Sequence, residues 1–410
     1  MKKTIYAVIL AFVFTVMTSG SALAESMSNY ELMQELKKTQ KRLQELEEKL
    51  ESRMSKKSEL KTEPEDPKSV QGLADRVRKV EDQLKETPLF GEWSKKITIS
   101  GLLEAEASYE DKEFDAANKD DEESSDLTLA TLELGIDADI AKHVSGHALL
   151  LWEEDDTEPV DLDEGYITLD GEDVLPMYLN VGKLYVPFGF YESHFISDPI
   201  TLEIGETRES AATVGLANDM FEITASAFNG NVEEEGDDNH IDNFVGSAYF
   251  RLPEDVRPGF SMMLGGSYIN NLADSDGLEG EIPNEEINDY VSGLGSFLSI
   301  AYQDRYFLKA EYVGALNDFE ADELDFSYGQ SLEPKAWNFE FAFVPIPDLE
   351  LAAKYEGGED LGNFQPENQY GGAITYNLFK YTSLSLEYLY GEYENEDERN
   401  LVTSQLAVEF

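Results

Sequence analysis

From Lys96 to the C-terminal end the side chains alternate between apolar and polar with period 2. Ile97, Ile99, Gly101, Leu103, Ala105 and Ala107 share one face, with Thr98, Ser100, Leu102, Glu104, Glu106 and Ser108 on the other. Trp337, Phe339, Phe341 and Phe343 oppose Asn338, Glu340 and Ala342, and Thr382 to Tyr390 repeats the pattern. A strand sends successive side chains to opposite faces, so such a run has one greasy and one wet side. Each run is about ten residues, the length a tilted strand needs to cross a bilayer.

A soluble sandwich also alternates, and the connections decide between the two. Short turns stand near 141–143, 171–176, 218–219, 252–258, 303–304, 344–348 and 377–380. Longer hydrophilic segments stand near 110–125, 155–163, 186–206, 230–241, 271–289, 317–331, 358–367 and 393–399. Strict alternation of short and long connections is what a barrel with one periplasmic and one outer end requires. The sequence therefore predicts an all-β transmembrane barrel of about sixteen antiparallel strands over 96–410. Val402, Ser404, Leu406, Val408 and Phe410 share one face, a closing pattern that resembles the recognition signal of bacterial outer-membrane barrels.

The segment before the barrel reads differently. Lys2 and Lys3, the apolar run Ile5–Val16 and Ala22-Leu23-Ala24 predict a cleaved signal peptide over 1–24, in preference to a short membrane anchor. Leu32, Leu36, Thr39, Leu43, Leu46 and Leu50 form a heptad seam, and Val70, Leu73, Val77, Val80 and Leu84 form a second. Pro64 and Pro67 interrupt the helix between them. The expectation is an N-terminal helical coiled coil over 25–88 in the periplasm; an amphipathic helix packed on the protein's own surface remains the alternative. A homotrimer gathered by the barrel would reinforce so short a coil. Contact with the cell wall, making the chain an envelope tether, is a further reading.

Charge narrows the function. Residues 25–95 hold sixteen acids and fifteen bases, whereas residues 96–410 hold sixty-nine acids and fourteen bases, a net of −55. That surface repels nucleic acid and attracts cations, although a saline habitat would also favour it. With no cysteine, no disulfide can brace the fold. The four histidines stand in no nucleophile or metal motif, so the chain is not expected to be an enzyme and no cofactor or metal is implied.

Sixteen strands enclose an aqueous channel whose lining is the polar face. Glu104, Glu106, Glu133, Asp137, Glu222, Glu311, Glu340 and Glu387 fall on that face, against Arg251, Lys309 and Lys354. Rings of acids favour cations in a pore. The segment 186–206 stands out among the loops. The others read as acidic and nearly free of aromatics, whereas this one is aromatic and apolar and carries two prolines. Exposed, it would form an unprotected apolar patch, so it is expected to enter the lumen as a constriction rather than serve as an outward lid or subunit contact. Tyr185, Phe188, Phe190, Tyr191 and Phe195 would then offer flat apolar faces to a solute. Glu192, His194, Asp198, Glu203 and Glu206 would orient it, Lys183 and Arg208 would supply local positive charge, and Gly189 would permit a bend.

The stretch Gly182-Lys183-Leu184-Tyr185-Val186-Pro187-Phe188-Gly189, followed by Asp198-Pro199, Leu202-Glu203 and Gly205-Glu206-Thr207, resembles the LbtU-type siderophore porin family. The layout of exported coiled coil followed by barrel matches that family across the mature chain. The resemblance implies uptake of a ferric siderophore or related iron chelate across the outer membrane. A non-specific cation-preferring porin is the other reading that the residues allow.

Overall fold

In the computed structural model the described residues are 95–410, apart from 117–118, 155–156, 158, 172–173, 237–239 and 254–255. The signal peptide and coiled coil expected over 1–24 and 25–88 lie outside the described residues. Sixteen antiparallel strands close into one barrel, each paired with its neighbours in sequence and the first with the last. They are β1 (Ile97–Glu113), β2 (Glu122–Ala141), β3 (Val144–Trp152), β4 (Asp161–Asp170), β5 (Met177–Tyr185), β6 (Arg208–Ala217), β7 (Phe221–Phe228) and β8 (Asn243–Leu252). The second half comprises β9 (Phe260–Ile269), β10 (Gly293–Tyr302), β11 (Tyr306–Ala315), β12 (Lys335–Ile346), β13 (Leu349–Glu359), β14 (Asn368–Phe379), β15 (Thr382–Glu392) and β16 (Glu398–Glu409). The long and short connections alternate as the sequence reading has them. No helix among the described residues is long and apolar enough to cross a membrane.

Strand orientation follows the alternation. Phe339 and Phe341 on β12 are exposed outward, while Ala336, Asn338, Glu340 and Ala342 are buried inward. Two strands depart from the ten-residue expectation. β1 runs for 17 residues and β2 for 20, so much of the segment read as a loop near 110–125 is strand. Their register shifts between Glu104 and Ala105, which leaves Ala130 without a partner opposite it and keeps Leu129 and Leu132 both on the outer face. A second shift between Leu149 and Leu150 does the same for Asp163 on β4.

The seam closes between β1 and β16. The backbones of Gly101 and Phe410 exchange hydrogen bonds of 2.9 and 3.0 Å. The Phe410 ring lies over Gly101, where any Cβ would meet it at 2.5 Å. A larger residue at 101 would displace the Phe410 ring from the seam. At the short-turn end, Gln303 and Asp304 both take left-handed dihedrals, φ 56° and 50°, which matches the twist of the flanking strands.

The long connections fold. Val232, Leu272, Leu278, Ile282, Phe319, Leu324, Phe326 and Leu361 are buried in one apolar cluster. The cluster extends to Val186, Phe188, Ile200 and Ile204 of the 186–206 segment. Glu233–Glu234 and Glu286–Ile287 pair as a small parallel sheet within this cap. Loops read as hydrophilic therefore contain a core of their own, and Phe319 and Phe326 correct the expectation of few aromatics there.

Candidate functional site

The segment 186–206 leaves β5, crosses the inner wall and returns to β6 through a short helical turn, α1 (Ile200–Glu203). Gly189 donates its N–H to Ser267 Oγ on β9 at 3.0 Å, and Phe190 stacks on Phe297 of β10 with centroids 4.4 Å apart. Four strand carboxylates then receive it. Glu311 on β11 accepts from Phe190 N (2.6 Å), Tyr191 N (3.0 Å) and Thr201 Oγ1 (3.2 Å). Glu340 on β12 accepts from Ser193 Oγ and His194 N, both at 2.7 Å. Glu387 on β15 accepts from Ile196 N (2.7 Å), Ser197 N (3.1 Å) and Ser197 Oγ (2.6 Å). Glu356 on β13 accepts from Ile200 N at 3.0 Å.

The physical logic is an exchange. A segment without regular secondary structure has no ladder to satisfy its amides, and buried unpaired N–H groups are costly. Carboxylates projecting inward from the strands are the acceptors. Their charge is offset by Lys354 on β13, whose side chain is fully buried and whose Nζ lies 3.6 Å from Glu340 and 3.3 Å from Glu356. Lys354 also sits 4.8 Å from the Phe195 ring centroid. Gln369 continues the chain, donating to Glu356 at 2.6 Å and accepting from Arg399 at 2.7 Å.

Of the acids the sequence places inward, Glu311, Glu340 and Glu387 are thus occupied by the segment and buried beneath it. Glu222 accepts from Tyr178 at 2.7 Å, and Asp137 pairs with His147 at 2.7 Å. Glu106 accepts from Gln405 at 2.9 Å. Glu104, Glu106 and Glu133, with Glu164 beside them on β4, are half-buried, as are Leu149, Leu151 and Tyr166 nearby. The segment thus covers inner-face carboxylates of β11, β12, β13 and β15, while the inner-face acids of β1, β2 and β4 stand half-buried without a hydrogen bond to it among the described residues.

The segment's own side chains divide in the same way. Phe188 is 2% exposed and packs in the apolar cluster. Gly189 has φ +77°, and a Cβ there would strike the Tyr191 ring. The Tyr191 hydroxyl is buried with no partner among the described residues. Glu192 meets Lys309 at 3.1 Å. His194 Nδ1 lies 2.9 Å from Glu350, while its Nε2 is buried and unpartnered. Asp198 is exposed, and Glu203 half-buried. Lys183 lies 3.6 Å from Asp161. Arg208 pairs closely with Asp163, which also accepts from the Tyr185 hydroxyl.

The Glu206 carboxylate has no hydrogen-bond or ion-pair partner among the described residues. Burial, with repulsion from Asp276, Asp198 and Asp163 only partly offset by Arg208, pushes its pKa up to about 8. No group of three His, Asp or Glu side chains among the described residues is arranged to hold a metal ion.

Sequence reasoning missed Glu356, Asp163, Ser267 and Asp276. Glu356 stands two residues from Lys354 on the inner face and was open to the same alternation argument. Asp163 sits at the β4 register shift, where period 2 gives no side.

No family model matches the chain. Among curated relatives it is 27% identical over 305 residues to a UPF0422 protein of Coxiella burnetii, covering 72% of this chain and 63% of that one. It is 25% identical over 321 residues to a UPF0422 protein of Legionella pneumophila strain Paris, covering 71% and 58%. The match thus spans about three fifths of the length of these relatives. Among solved structures it resembles the outer-membrane channel DcaP of Acinetobacter baumannii, with TM-score 0.52, 13% identity and coverage of 77% and 97%. It also resembles the anion-selective porin of Comamonas acidovorans, with TM-score 0.52, 12% identity and coverage of 77% and 100%. The fold is that of an outer-membrane porin. Identities this low carry the architecture alone, and selectivity has to be argued from the residues.

Proposed function

We propose that the chain is a bacterial outer-membrane channel for small solutes with a preference for cations. One observation carries the reading. The bases near the constriction are each held by acids: Arg208 by Asp163, Lys309 by Glu192, and Lys354 by Glu340 and Glu356. The acids on the β1–β4 wall, Glu104, Glu106, Glu133 and Glu164, form no ion pair with Lys or Arg among the described residues, and Arg208 and His147 reach Glu164 only through longer-range attraction. Asp198 on the segment is close enough to Glu104 and Glu106 to repel their charge. A hydrated cation crossing this gap meets net negative potential, and an anion meets a barrier.

The test is the reversal potential of the reconstituted channel in a potassium chloride gradient. Cation preference is expected, and it should weaken when Glu104, Glu106 and Glu133 are replaced together by Gln. A reversal potential of the anion-selective sign would overturn the reading.

The ferric-chelate reading that the family resemblance implies has one supporting observation, a recess of about 380 Å³ lined by Tyr185, Phe190 and Tyr191. Liposome swelling with a ferric siderophore, compared with an uncharged sugar of similar size, tests it. Equal exclusion of the two would leave no place for that specificity. Trimer assembly and cell-wall contact through residues 25–88 are parts of the proposal that crosslinking and peptidoglycan pull-down address.

A further inference from the structure

The recess between the outgoing and returning legs of the 186–206 segment joins three features. Its walls are aromatic and apolar, formed by Tyr185, Phe188, Phe190, Tyr191 and Leu202. Its volume, about 380 Å³, is at the lower end of the range for small-ligand pockets. Two carboxylates line it, Glu192 and Glu206, and they are not equivalent. Glu192 is engaged by Lys309, whereas the Glu206 carboxylate meets no partner among the described residues.

The charge around Glu206 is uncompensated. Asp163 on β4, Asp198 in the segment and Asp276 in the 270–292 connection all repel it, and Arg208 on β6 opposes them. Arg208 is itself engaged by Asp163, which the Tyr185 hydroxyl also contacts. Once ionised, a half-buried carboxylate facing a cavity under these conditions lacks one positive charge. An inorganic divalent ion does not suit the site, since the lining offers few oxygen ligands and, among the described residues, no group of three acids or histidines is arranged for one. A cation with an organic body does, because aromatic faces attract ammonium and guanidinium groups and apolar walls take the rest.

We infer that this recess is a binding subsite for small organic cations with a guanidinium or alkylammonium head, held by Glu206 against the Tyr185 and Phe190 rings. The inference rests on the cation-preferring reading of the channel and names a solute class for it.

Agmatine is the probe, added to the single reconstituted channel in potassium chloride, with the same concentration of sodium as control. Agmatine should produce reversible partial block, with an apparent Kd of about 1 mM or tighter. At about pH 8.5 E206Q should weaken it by about tenfold or more, while D219N in the exposed turn between β6 and β7 should change it less than about threefold. E206D, which keeps the charge and withdraws it by one methylene, should fall between the wild type and E206Q.

The block should also tighten as the solution is raised from about pH 6 to about pH 8.5, by up to tenfold per unit below the Glu206 pKa, and this dependence should vanish in E206Q. The comparison with E206Q subtracts any contribution from Asp163, Asp198, Asp276, Tyr185 and Arg208. At about pH 8.5, absence of block up to about 10 mM, or equal block in E206Q, overturns the subsite. The reversal potential, read in the same experiment without agmatine, separates that failure from failure of the cation-preferring channel.

Discussion

Replacing Glu311 with alanine removes the acceptor of three hydrogen bonds, from Phe190 N, Tyr191 N and Thr201 Oγ1. Two of those donors are backbone amides that no other group replaces, and hydrogen bonds to a charged acceptor contribute more than neutral ones. The segment should lose about 2–4 kcal/mol of attachment. The barrel strands keep their ladders, so the prediction is local: E311A migrates as a folded barrel in unheated detergent gels, yet shows higher and noisier single-channel conductance. E311Q retains one acceptor oxygen and should fall between the two. Wild-type conductance and noise in E311A would mean that the remaining carboxylates suffice to hold the segment.

At the level of elements, the strands were legible because alternation is a local signal. Phe339, Glu340 and Phe341 declare their faces without reference to any neighbour. The cap was not legible for the converse reason. Leu272, Leu278, Ile282, Phe319 and Phe326 come singly from different loops and show no period, so their burial follows only from contacts distant in sequence. The candidate site divides on the same line. Alternation turns Glu311, Glu340 and Glu387 inward, but that they hold amides of one segment depends on the path of 186–206 through the interior. The aromatic residues of that segment were legible as unusual, and their use was not. Phe188 lies within the apolar cluster, Phe190 on Phe297 and Phe195 beside Lys354. Each therefore anchors the segment to the wall. Replacing 188–195 by a Gly-Ser stretch should accordingly release the constriction, since it removes the three aromatic anchors and makes each backbone bond more costly in entropy. The expected outcome is a folded barrel with raised conductance and no agmatine block. Unchanged conductance would place the constriction elsewhere in the lumen.

At the scale of the whole molecule two sources of cation preference compete. One is the general acidity of the barrel unit, sixty-nine acids against fourteen bases over 96–410, much of it on loops and mouths. The other is the confined set proposed to line the passage: Glu104, Glu106 and Glu133, with Asp198 near Glu104 and Glu106. Salt separates them, because screening acts through distance. The Debye length is about 10 Å at 0.1 M and about 3 Å at 1 M. Charge spread over the mouths acts on an approaching ion through tens of ångströms of water, so its contribution should be almost gone at 1 M. Charge on the walls of the passage acts at near contact, across partly desolvated space, and survives screening far better. Reversal potentials measured at a fixed gradient ratio, from about 0.03 M to about 1 M mean salt, should therefore fall to a plateau that stays on the cation-selective side. The triple replacement of Glu104, Glu106 and Glu133 by Gln should abolish the plateau and leave the low-salt preference largely in place. If the wild-type preference instead decays to zero by 1 M, the acidity belongs to the surface, and the residues of the passage do not choose the ion.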